Sequence, residues 1–469
     1  MRFCGAAGPT PAGPQAPTTG PGVRRVDGED WYMSSGAWTG AAVATVTAAY
    51  ALGSRRLSST PLSSAIVFVG FGILLGPAVL DIVNLDRDAA PIVALLEVTL
   101  ALVLFTDALS VRRRDLRAGG FLTGRLLMVG LPLSIGAGWL LAWPLLPGLT
   151  VWELALVGAI LAPTDAALGR TASSHPRVPA LVRHGLNVES GLNDGMVLPF
   201  FILFLAAIPG THYAQEGVSG VFWRALVLST AIGLLLGWLG GRLLQWSRAR
   251  GWVAREWRQV FLPAVAAGAY ELAVVTDGSG FIAAWAAGFS CGLALRHFPV
   301  GGEKEDADRT AEFSDTLGGL LAAISLLVFG AVLLGPTLEH LSWRIVVYAV
   351  LSLTVVRMLP VALALVGSGL RPSTVAYIGW FGPRGLASVV LALLVVEEHV
   401  PGVELLGRVV AITVGLSVLL HGVSAVPLAE RYGRWHEKAA AARPDLREGT
   451  PVPEPPARGE LGLRDRPEP

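Results

Sequence analysis

Within Val188–Gly195, VESGLNDG, two carboxylates, an amide and a hydroxyl (Glu189, Asp194, Asn193 and Ser190) interrupt a stretch otherwise apolar enough to cross a bilayer. An ionisable residue inside a span costs roughly 2.5–3.5 kcal/mol on insertion scales and marks an ion or proton path where it is retained. Glu189 and Asn193 are i, i+4 neighbours, as are Ser190 and Asp194. At 100° per residue all four fall within one arc of about 140°. That face offers the hard oxygens a dehydrated alkali cation takes: carboxylate, hydroxyl and backbone carbonyl. A carboxylate there holds either a proton or the cation. Competition between the two is enough for exchange, and it makes the exchange depend on pH.

Two further stretches break the helical pattern: LAPTDAALG at Leu161–Gly169 and GWFGPRGLAS at Gly379–Ser388. Pro163 and Pro383 each remove a backbone N–H, so each helix can open and leave carbonyls and N–H groups facing an ion. Asp194 is then expected to meet Thr164 and Asp165. For Asp165 two readings stand, an ion ligand or the N-cap of a half-helix. Arg384, in the second break, offsets the partial negative charge of a half-helix C-terminus. Arg357, in TVVRMLPV, needs a partner inside its span; Glu189 is the candidate, which leaves Asp194 as the titrating group. Asp107, in LFTDAL, reads equally as a further site carboxylate or as an acid snorkelling from a helix end. Glu97 and Glu271 are expected to be interface or packing residues.

The elements that hold these groups read as an all-α polytopic membrane protein. The chain of 469 residues is 53% hydrophobic and 15% charged, where a soluble domain carries about a quarter charged residues; its mean hydropathy is +0.57. Thirteen apolar stretches are expected, at about 35–53, 61–83, 91–110, 121–144, 151–169, 185–208, 221–246, 259–276, 279–296, 314–336, 343–366, 374–396 and 404–428. The two broken segments lie seven spans apart, and an odd offset gives two inverted six-helix repeats, 35–208 and 259–430, joined by a linker helix at 221–246. One alternate set of loops carries Arg55 and Arg56, Arg112, Arg113, Arg114 and Arg117, Arg170, Arg177 and Arg183, Arg248, Arg250, Arg255 and Arg258, Arg296, Lys304 and Arg309, and Arg371. The other carries Arg87, with Arg224 and Arg344 at span edges. The positive-inside rule then puts the N-terminus outside and the C-terminus in the cytoplasm of a cell-membrane protein. Residues 1–34 read as a disordered or dispensable extension ahead of a working start at Met33, and 431–469, with PVPEPP, as a disordered tail.

Several classes are excluded. The net charge of +1 gives no basic footprint for nucleic acid. No GxxxxGK[ST] loop for ATP occurs, so ion gradients must supply the energy. No cofactor is suggested. Cys4 and Cys291 read as two unpaired thiols. His175, His184 and His297 read as solvated loop histidines rather than pH sensors.

ESGLNDG resembles the Asn-Asp motif of the cation:proton antiporter-1 family, the sodium/proton exchangers. LAPTDAALG is similar to that family's broken-helix Thr-Asp motif, and Arg357 with GPRG fits its later arginine-bearing spans. The likeness is spread over spans 3 to 13. It implies a thirteen-helix fold with a core domain and a dimerisation domain, a homodimer, and exchange of Na⁺ (or Li⁺, K⁺) for H⁺ by elevator-like movement of the core, without enzyme activity. It makes Asp194 the carrier, with Thr164, Asp165, Ser190 and Asn193 around the ion, Asp107 as an extra carboxylate and Glu189 paired with Arg357. The Na⁺ or K⁺ itself is expected at Asp194, Ser190 and Thr164. Asn193 in place of a second Asp is similar to the electroneutral branch. TDA where TDP is commoner, and Gly191 where a bulky residue is commoner, bear on ion preference. A transporter of organic anions on a related fold is the alternative; two acids in the site repel an anion. An intramembrane aspartyl protease would need different settings around its acids than PTDA and LNDG.

Overall fold

The computed structural model describes residues 28–57, 63–111, 120–297, 304–398, 400–443 and 446–450; their regular structure is all helical, with no strand among them. In chain order the helices are α1 (Gly28–Leu57), α2 (Ser64–Leu75), α3 (Leu85–Ser110), α4 (Gly120–Leu145), α5 (Val151–Ile160) and α6 (Ala166–Ser173). Next come α7 (Ala180–Ala206), α8 (Ser219–Ala249), α9 (Arg255–Val275), α10 (Gly280–His297) and α11 (Phe313–Leu338). The last are α12 (Trp343–Ala364), α13 (Pro372–Trp380), α14 (Leu386–Glu397) and α15 (Val403–Ala442). Each of the thirteen expected stretches holds one of these helices or, for the fifth and twelfth, a pair. Seven of the helices are long and apolar enough to cross a membrane alone. The halves α5 and α14 are among the shorter apolar helices.

Both interruptions fall where the sequence places Pro. α5 stops at Ile160, three residues before Pro163, and α6 restarts once Asp165 can cap it. α13 stops at Trp380, and Phe381–Gly385 carry the chain as non-helical backbone to α14. The two breaks lie against each other: the Asp165 N–H donates to the Pro383 carbonyl at 2.8 Å. Glycine makes this crossing possible, because a Cβ on Gly385 would collide with the Asp165 carboxylate and one on Gly382 with the Arg357 guanidinium. Small residues serve the same end elsewhere. Gly233, Gly237 and Gly241 of α8 abut the backbone of α10 at Ala283, Ala287 and Cys291, the close packing that replaces a hydrophobic driving force in lipid.

Two expectations are corrected. The disordered tail expected from 431 is helical to Ala442, because Tyr432 and Trp435 continue the apolar face: Tyr432 stacks on Tyr377 at 4.3 Å and on Trp435 at 5.5 Å. Beyond it Glu448 is fully buried. The extension expected over 1–34 is helical from Gly28. Residues 1–27, with Cys4, the 451–469 part of the tail, and the Arg112, Arg113, Arg114 and Arg117 cluster lie outside the described residues.

Candidate ion site at the helix crossing

Four half-helix ends meet at the crossing, and two side chains of opposite charge serve them. Asp165 caps α6, its Oδ1 accepting from the N–H groups of Ala167 (2.7 Å) and Leu168 (3.1 Å). Its Oδ2 accepts from the Leu386 N–H (2.9 Å), the first residue of α14. One carboxylate thus faces the positive ends of two half-helices. Arg384, with no exposed surface, donates through Nη1 to the carbonyls of Pro163 (3.1 Å) and Gly382 (3.3 Å), which follow the C-terminal ends of α5 and α13. Of the two readings for Asp165, the geometry is that of a cap shared between both breaks. Arg384 stands at half-helix C-termini, and at two of them.

α7 runs past this crossing with its polar face inward. The Ser190 hydroxyl donates to the Thr164 carbonyl, and Asn193 Nδ2 donates to Thr164 Oγ1 at 2.7 Å. Thr164 is held in the break between α5 and α6, so α7 reads the opened backbone directly. Glu189, at the same face, is saturated: Arg357 of α12 grips it bidentately, Nη1 to Oε1 at 2.6 Å and Nη2 to Oε2 at 2.9 Å, with both side chains buried. A planar guanidinium fork on a carboxylate is the strong form of such a pair.

Asp194 differs from every carboxylate around it. It is 8% exposed, and its Oδ1 has no hydrogen-bond partner; the adjacent Asn193 Oδ1 is also buried without one. The charges that act on it are those of Asp165, Asp107 and Arg384. Half-buried Asp107 of α3 packs against α7 at Gly191, where a Cβ would stand 3.4 Å from the Asp107 carbonyl oxygen, at ordinary contact distance. An orphaned carboxylate oxygen and an orphaned amide oxygen on successive residues each keep an acceptor that no protein donor fills, the kind of group a proton or a cation can take.

Sequence reading missed other polar residues at the crossing. The Arg384 N–H donates to Ser417 Oγ (2.6 Å), whose neighbour His421 bonds the Trp380 carbonyl through Nε2 (2.9 Å). Ser388 of α14 donates to the Ile160 carbonyl at 2.6 Å, tying one break to the other. An i, i+4 Ser–His pair in an apolar span was the available signal. Glu153, in the capping box Thr150–Glu153 at the start of α5, also accepts from the Gly402 N–H (2.7 Å). Among the histidines, His184 is buried within α7 rather than in a solvated loop, a correction that follows from the helix starting at Ala180. Glu271 is exposed and Glu97 half-buried. Cys291 is a buried free thiol.

Comparison with known proteins places this geometry in context. The profile of the transmembrane sodium/hydrogen exchanger family matches residues 42–431. A K⁺/H⁺ antiporter, NhaP, of Alkalimonas amylolytica is 25% identical over 380 residues, covering 79% of this chain and 62% of its own. A Na⁺/H⁺ antiporter of Saccharomyces cerevisiae is 24% identical over 348 residues, covering 69% of this chain and 34% of its own. The chain therefore spans less than two thirds of the length of these relatives. Among solved structures, the sodium proton antiporter MjNhaP1 of Methanocaldococcus jannaschii superposes with a TM-score of 0.71 at 21% identity, covering 86% of this chain and 99% of that one. The fold is shared.

Proposed function

The chain belongs to the sodium/hydrogen exchanger family, and from that premise we propose that it exchanges a monovalent cation, Na⁺ or K⁺, for H⁺ across a membrane. It acts as a transporter rather than an enzyme. The observation that carries this reading is the unpartnered Oδ1 of buried Asp194 beside the unpartnered Oδ1 of Asn193.

In the proposed cycle Asp194 holds a proton on one side and releases it when a cation arrives on the same oxygen. Thr164, fixed by Asn193 and Ser190, turns its hydroxyl and the opened backbone of the break toward that ion. Asp165 and Arg384 keep the broken helices charge-balanced while the site is empty. Glu189 and Arg357 neutralise each other and hold α7 to α12 as one body. Asp107 adds negative charge near Asp194, which favours a cation over an anion. One carboxylate serving both ions gives electroneutral one-for-one exchange. The first repeat (35–208), linker (221–246) and second repeat (259–430), a homodimer in the cell membrane, an N-terminus outside and a cytoplasmic C-terminus complete the reading.

The test is cation-induced dequenching of a ΔpH dye in everted vesicles, with wild type beside Asp194→Asn, across Na⁺, Li⁺ and K⁺. Wild type should collapse the gradient and Asp194→Asn should not. A folded, inserted wild-type protein silent to every cation between pH 5 and 9 would overturn the proposal.

A further inference from the structure

Beside the second half of α12 the chain forms a further feature, which contains none of the ion-site residues. α12 bends at Thr354, where ψ is −82°, dividing the helix into Trp343–Leu353 and Val355–Ala364. Between its second half and α13 runs an apolar groove of about 710 Å³, lined by Met358, Ala362, Leu365, Leu370, Val375 and Ala376. Val355, Leu359 and Leu363 of α12, and Val366 just beyond it, are all exposed, which marks this face as lipid-facing in a membrane protein.

A smaller cavity of about 350 Å³ adjoins the groove, with Pro372 lining both. The chemistry changes there. Arg371, Ser373, Trp435, Arg443 and Leu446 line the cavity, with no carboxylate among its described lining residues. Neither Arg371 nor Arg443 has an ion-pair partner among the described residues. The surrounding loop is pinned: Arg125 Nη1 donates to the Val366 carbonyl and Arg447 Nη1 to the Ser368 carbonyl, each at 2.6 Å. Buried Glu448 accepts from the Arg371 N–H (2.6 Å) and the Thr374 hydroxyl (2.9 Å). Glu448 thus takes the N–H of the residue preceding α13 and a hydroxyl of its first turn, and the cationic groups lining the cavity are the Arg371 and Arg443 guanidinium groups.

We propose that one anionic phospholipid binds here, with its phosphate between Arg371 and Arg443 and an acyl chain in the groove between α12 and α13. Two unpaired arginines at the mouth match an anionic headgroup. The adjoining groove accepts what a free phosphate lacks. Trp435 is the interfacial residue type expected at headgroup depth.

The test uses the full chain purified in detergent, with bound lipid read by native mass spectrometry after titration with phosphatidylglycerol, phosphatidylcholine or glycerol phosphate. Wild type should retain phosphatidylglycerol over phosphatidylcholine. At about 1 kcal/mol per basic residue near a headgroup, each of Arg371→Gln and Arg443→Gln should weaken retention about fivefold. Paired Arg371→Lys and Arg443→Lys variants should keep most of it. Ala376→Phe, which fills the groove, should lower retention without altering the arginines. Equal retention of both lipids, or full retention by the double Gln variant, would overturn the site. So would glycerol phosphate competing as well as the lipid, which would make it a free-anion site. A change in oligomeric state on Ala376→Phe with lipid retention intact would give the groove to a second copy of the chain.

Discussion

Asp165 and Asp194 are acids of the same kind, both in interrupted or polar stretches of neighbouring segments, yet the protein treats them in opposite ways. Asp165 accepts three backbone N–H groups from two half-helices. Asp194 leaves an oxygen with no donor at all. Both Asp165 oxygens at the crossing hold backbone donors, while Asp194 Oδ1 on the neighbouring helix holds none. A charge held by fixed donors is part of the scaffold, whereas a charge without them is available to a moving ion. Glu189, five residues before Asp194 on the same helix, falls on the saturated side because Arg357 takes both its oxygens.

That contrast can be broken most severely at Asp194. Asp194→Asn should reduce ΔpH dissipation to the level of empty vesicles, a loss of at least about 100-fold if one carboxylate carries both ions, while the purified variant melts within a few degrees of wild type. A melting point that collapses instead would move Asp194 to the scaffold. Glu189→Ala should do the reverse, acting on stability first: leaving Arg357 buried alone costs about 3–5 kcal/mol. The paired Glu189→Leu, Arg357→Leu variant should recover much of that in a thermal-shift assay, and failure to recover would mean the pair does more than neutralise itself.

Smaller changes sharpen the comparison. Gly385→Ala should lower stability by about 1–3 kcal/mol, because its Cβ enters space held by the Asp165 carboxylate. Thr164→Val keeps the shape but removes the acceptor of Asn193 Nδ2. It should raise the cation concentration for half-maximal dequenching several-fold with a lesser effect on maximal rate. Ser417→Ala, which removes the acceptor of the Arg384 N–H, should cost about 1–2 kcal/mol in the same thermal assay.

Much of the bundle was legible along the chain. Apolar stretches of bilayer length and the Pro in each break foretell the helices and their interruptions, since both are local properties of hydropathy and backbone N–H supply. The polar face of α7 was legible too, from 100° spacing, and the need of Arg357 for a partner pointed to Glu189. The extent of α15 was less so: the polar composition after 431 suggested a tail, and only the stack of Tyr377, Tyr432 and Trp435 shows why the helix continues. The buried Glu448 and Ser388 carried no signal above that of ordinary polar residues, and the Ser417–His421 pair carried only its i, i+4 spacing in an apolar span.

The sequence by itself determined which segments cross, which residue types line one face, and that charges inside the spans must be paired or used, because these follow from the cost of polar groups in hydrocarbon. Only the tertiary structure decided which charge is which. Asp165 and Leu386 are separated by 221 positions and Glu189 and Arg357 by 168. Whether a carboxylate is capped, gripped or left open depends on donors brought from that distance, and no local period or motif encodes their arrival.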